Sequence, residues 1–173
     1  AKLALIGRVY AAGLERRVTP PAGRQAIDVI AGYVLQHGRE VDDVVGALTP
    51  AREPLDASLM ALIVETHGRL TSLLQKVATD GKAPRSFASK YLHFHNRAVP
   101  IYDSYALAGL VRSVRWSSAE IPFECPPGGD DAPYGYYEFC VRFWRLLEAC
   151  RMAGVDARVK ALDPWLWVVP AKS

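Results

Sequence analysis

Apolar residues recur along most of this chain at intervals of three and four, the spacing that lays one stripe along an α-helix, and no sustained alternation of period two pairs up into strands. The longest run spans residues 55–78, where Leu59, Leu62, Ile63, Thr66, Leu70, Leu73, Leu74 and Val77 keep the helical interval. It predicts the central core helix. Gly68 in its middle costs about 1 kcal/mol against alanine and marks a close helix crossing or a kink. His67 beside it is expected half-buried or at the surface.

The other helices follow from the same pattern. Residues 3–18 place Leu3, Ile6, Tyr10 and Leu14 at helical intervals, with Arg16 and Arg17 at the end where the helix dipole favours cations. Residues 23–37 repeat the pattern through Ile27, Ile30 and Val34 and stop at Gly38, and residues 40–48 make a short further helix. Residues 136–152 carry Tyr136, Phe139, Cys140, Phe143, Trp144, Leu147 and Cys150 on one broad face. Arg142, Arg145, Glu148 and Arg151 fall elsewhere, a solvated face with ion pairs about Glu148. A last helix is expected to open on Asp163 as its cap with Pro164 at the first position, its tryptophans packed on the core. Residues 117–135 break all periodicity, with four prolines, three glycines and an acidic pair. A loop of that length is functional or mobile, unless it is an insertion without a role, and it is a candidate docking site for a protein partner. The expected architecture is all-α, one compact domain over residues 1–173 with about seven or eight helices.

The densest chemistry lies in residues 84–110, which read as helix, short turn, helix. Phe87, Ala88, Tyr91, Leu92 and Phe94 form an apolar stripe, and Ser86, Lys90, His93 and Arg97 a polar, partly basic one that needs a partner or water. Asp103 precedes Ser104-Tyr105-Ala106-Leu107, where a carboxylate accepts the free N–H groups of a new helix, so its bland role is an N-cap. His93 and His95 stand two apart, which on a helix turns them about 200° from each other and away from a common ion. No metal and no cofactor is expected. Phosphate-binding glycine loops and the hydrolase nucleophile elbow are absent from the sequence.

The run Val99-Pro100-Ile101-Tyr102-Asp103-Ser104, after a helix containing Lys90, resembles the active-site segment of the helix-hairpin-helix DNA glycosylases. The resemblance covers roughly residues 80–112. The stretch before Lys90 holds one glycine, Gly81, where that superfamily has a glycine-rich hairpin, and Lys90 stands closer to Asp103 than the family's lysine does to its aspartate. The resemblance implies release of a modified base from DNA, with Asp103 supporting attack on the glycosidic carbon and Lys90 as a possible covalent nucleophile. It also implies a stacking ring from Tyr91, Tyr102 or Tyr105, and backbone contacts from Arg85, Ser86, Ser89, His93, Arg97 and Arg112. The partner would be DNA, double-stranded. The alternative is a helical module that binds nucleic acid or a protein without chemistry, using the polar stripe as its surface.

Composition changes this picture little. The chain has 173 residues, 50% of them hydrophobic, enough to bury one core without disulfides. A net charge of +3 and a pI near 8.8 permit nucleic-acid binding without demanding it. The three cysteines form no C-x-x-C pair and suggest reduced thiols in a cytoplasmic setting, with Cys140 and Cys150 buried in the core. No apolar run approaches a membrane span. The sequence opens on a helical pattern without Met, as expected of a piece of a longer protein.

Overall fold

The computed structural model describes residues 14–117 and 121–168. Of the expected first helix, residues 3–13 lie outside the described residues, and Leu14–Arg17 form a single 3-10 turn. Seven α-helices follow: α1 Ala26–Gln36, α2 Gly38–Gly46, α3 Ala57–Gln75, α4 Arg85–His95, α5 Ser104–Ser113, α6 Tyr136–Met152 and α7 Val159–Val168. There is no strand among the described residues.

The helix expected at the centre is there. Asp56 caps α3, its Oδ1 accepting the Leu59 N–H at 2.8 Å, and α2, α4 and α6 all pack against it. Being wrapped on several sides, α3 buries Met60, Ile63, Val64, Leu70 and Leu74 and His67 with them, contrary to the surface position expected. The imidazole stacks on Tyr136 with centroids 3.6 Å apart and meets the Arg85 carbonyl through Nε2 at 3.0 Å. Burial lowers its pKa to about 4, so it is neutral at physiological pH. Gly68 does mark a close approach, but by a loop: a Cβ there would fall 1.9 Å from the Gly128 carbonyl oxygen.

That loop, described over residues 121–135, is tied to the helices along its length. Arg85 grips Asp130 through Nε and Nη2, Tyr137 Oη donates to the Phe123 carbonyl at 2.8 Å, and Tyr102 Oη donates to the Tyr134 carbonyl at 2.8 Å. The paired Arg85 guanidinium pulls the Asp130 carboxyl below its usual range against the opposing effect of burial.

Three sequence expectations need correction. Arg142 is not on a solvated face: it is buried, pairs with Glu138, and donates through Nη1 to the Val114 carbonyl just past the end of α5, with its guanidinium over the Trp116 ring. Glu148 does pair with Arg151. Asp163 does not cap the last helix, because α7 starts four residues earlier and carries Asp163 and Pro164 inside it. Leu162 and Leu166 pull the helix onto the core through that proline, whose missing N–H costs one helical bond. Trp165 and Trp167 are exposed, since the face that packs belongs to Val159, Leu162 and Leu166. Cys140 is buried as expected and Cys150 half-buried.

Candidate functional site

The site is built by the turn between α4 and α5. Four side chains hold that turn from different directions. Asn96 donates through Nδ2 to the Leu48 and Ala51 carbonyls and accepts the Ala98 N–H, anchoring the turn to the segment between α2 and α3. The Val99 carbonyl meets His93 Nδ1 at 2.7 Å, Pro100 accepts from Tyr136 Oη at 2.9 Å, and the Tyr102 N–H donates to Ser89 Oγ at 3.0 Å. Each closes a backbone group that burial would otherwise leave unsatisfied. The chain therefore arrives at Asp103 in one fixed conformation.

Asp103 is an N-cap and something more. Its Oδ1 accepts the Tyr105 and Ala106 N–H groups at 3.0 and 2.9 Å. Its Oδ2 is buried without a hydrogen-bond partner, 3.7 Å from Lys90 Nζ, a charge contact longer than a hydrogen bond. Both residues are enclosed, Asp103 at 8% exposure and Lys90 at 5%. Burial lowers the proton affinity of the Lys90 ammonium, and Asp103 and then Asp163 only partly restore it. Asp163 arrives from α7, which packs on α5 with Gly109 at the crossing, where a Cβ would come within 2.3 Å of the Leu166 carbonyl oxygen. Burial first, and then repulsion from Asp103, raise the Asp163 carboxyl to about 6. One lysine and two carboxylates from three helices thus share one partly dry space. Reading Asp163 as a cap hid it; its place three residues after Lys160 and three before Leu166 on a helical pattern was the available signal.

The other expected site residues divide. Ser89 and His93 are buried and occupied by the turn, so they position Asp103 and present no surface to a strand; Lys90 and His93, the middle of the polar stripe of α4, are buried. Ser86 is half-buried and Arg97 exposed. Arg85 is engaged with Asp130, and Arg112 is half-buried on α5. Tyr91 is buried between Phe87 and His95, and Tyr102 is half-buried with its edge toward Phe139, so neither offers a free ring face. Tyr105 does: it is 63% exposed on the first turn of α5 and stacks with Trp167 of α7, centroids 5.1 Å apart and planes 24° from parallel.

Among the described residues no group of three or more His, Cys, Asp or Glu is arranged to hold a metal ion, and no helix is long and apolar enough to cross a membrane. Comparison with protein-family models, with curated proteins and with solved structures gives no match.

Proposed function

We propose that this protein acts on nucleic acid as an N-glycosyl hydrolase, releasing a modified base from DNA, with Asp103 as the carboxylate at the sugar and Lys90 as its cationic partner. The observation that supports it is Asp103 Oδ2, a buried carboxylate oxygen with no hydrogen bond beside a lysine of lowered proton affinity. A buried carboxylate oxygen without a hydrogen bond is uncommon and calls for an explanation. A carboxylate held by Oδ1 with Oδ2 unspent is oriented to stabilise positive charge developing on a sugar ring and to take a proton from the attacking water. Water gives its hydroxyl to the anomeric carbon as the bond to the base breaks, and the proton that Asp103 takes from it is passed on to the departing base, which returns Asp103 to its ionised form. Asp103 is enclosed in this conformation, at 8% exposure, so the side chains around it must give way as substrate enters.

That enclosure favours a second reading, in which the pair only organises the α4–α5 junction of a non-catalytic helical module. The two separate in one assay. Duplexes carrying single modified bases are incubated with the protein and scored for abasic sites, with and without borohydride. Asp103→Asn retains a good capping side chain but takes away the anion beside the buried Lys90, so it is compared with wild type at matched folded fraction, where it is expected to lower base release by at least about a hundredfold. A covalent protein–DNA adduct on borohydride, lost in Lys90→Ala at matched folded fraction, assigns Lys90 as the nucleophile. Absence of abasic sites on every duplex overturns the hydrolase and leaves the module.

A further inference from the structure

The α7 helix places three chemistries in line. Lys160, Asp163 and Trp167 are spaced three and four apart and lie on one flank, beside the buried stripe of Val159, Leu162 and Leu166. Lys160 and Arg97 are both exposed, and after burial, the larger cause, each further disfavours protonation of His93. Two solvent-facing cations therefore lie within charge range of the same histidine near the C-terminal end of α4. One helical turn on is the Lys90–Asp103 pair with Asp163, and one turn beyond that Trp167 stacks on Tyr105, whose own N–H is bonded to Asp103. From Lys160 to Trp167 the helix rises about 10 Å. Trp165, also exposed, lies on the opposite flank of the buried stripe.

We propose that this flank is the binding site of one unpaired nucleotide of a DNA strand, its base on the Tyr105–Trp167 rings, its phosphate toward Arg97 and Lys160 and its sugar over the stretch of α7 between them. The assignment rests on the hydrolase reading only for the choice of DNA as the partner. What supports it is the order of charges and rings, since a nucleotide is an anion, a neutral ring and an aromatic ring in that sequence and within that span. An amphipathic peptide would need an apolar groove, and here the exposed rings adjoin cations and acids instead. Two exposed rings held face to face by different helices also cost no ordering when a base adds to the stack.

The test uses oligothymidylate as the probe, followed by quenching of tryptophan fluorescence and by anisotropy of a labelled strand. Binding is expected to quench the wild type. Trp167→Ala and Tyr105→Ala are expected to weaken it on the order of tenfold, Trp167→Phe to restore most of it, and Trp165→Ala to leave affinity within about twofold. Arg97→Ala and Lys160→Ala are expected each to flatten the slope of log affinity against log salt by about 0.7. The proposal is overturned if no strand binds, if Trp167→Ala binds as wild type, or if Trp165→Ala and Trp167→Ala weaken binding equally. All three substituted aromatics are exposed, so circular dichroism and melting separate binding from folding. Binding with this mutational pattern but without base release would sink the hydrolase and keep the nucleotide site; base release unaffected by Trp167→Ala would do the reverse.

Discussion

Replacing Asp163 by Asn tests the electrostatics of the buried cluster without touching Asp103 or Lys90. The Asp163 carboxyl titrates near 6 in the folded protein because burial and Asp103 disfavour its charge, against about 3.9 in an unfolded chain. Its folded pKa is raised, so between pH 4 and 6 the native state binds more protons than the unfolded one, and stability falls as pH rises through that window. Two pKa units amount to about 3 kcal/mol at most, and for a half-buried group about 1–2 kcal/mol is the realistic cost at pH 7. His67 acts oppositely. Its folded pKa is lowered to about 4, so its contribution is lost as pH falls from about 6.5 to 4. The two slopes overlap and partly cancel in the wild type, so the informative quantity is the difference between variant and wild type. Urea unfolding at pH 4, 5, 6 and 7 should show Asp163→Asn gaining about 1–2 kcal/mol relative to wild type on going from pH 4 to pH 7. A flat difference curve would show that burial and Asp103 together do not raise the Asp163 carboxyl. A curve of opposite sign would mean that attraction to Lys90 dominates, and the crowding of negative charge inferred here would be wrong.

Three further outcomes follow from single contacts. Gly109→Ala drives a methyl into the Leu166 carbonyl at the α5–α7 crossing and should cost about 1–3 kcal/mol, lowering the melting temperature by about 2–12 °C; an unchanged melt would mean that α7 does not lie where it is described. Lys90→Ala strips the buried pair of its cation and should destabilise by about 3–5 kcal/mol at pH 7, less at pH 4, as read by urea titration at the two values. Asp130→Asn weakens the Arg85 grip on the loop before α6 and should raise amide exchange in residues 121–135 while leaving that of α3 unaltered, a result that hydrogen-exchange mass spectrometry resolves.

Helix positions were legible because burial on one face imposes a period, and α1 to α6 all carry it. The N-cap role of Asp103 was legible for the same local reason: a carboxylate before a helical run has N–H groups to accept. What escaped was tertiary. The polar stripe Ser86, Lys90, His93 and Arg97 looked like a contact surface, yet its middle is buried, because His93 and Ser89 satisfy backbone groups of the α4–α5 turn that no periodicity reveals. Asp163-Pro164 looked like a helix start, since both residues favour one; the packing of Val159 and Leu162 carried the helix back past them. Tyr105 and Trp167 lie 62 residues apart in sequence, and only the α5–α7 crossing brings their rings together.

Base release from a panel of singly modified DNA duplexes, measured for the wild type and for Asp103→Asn at matched folded fraction, is the most direct test. We expect product at one or more lesions with the wild type and at least about a hundredfold less with the variant. Equal release by both proteins, or none by either, would contradict a catalytic Asp103 and leave the Lys90–Asp103 pair as part of the scaffold.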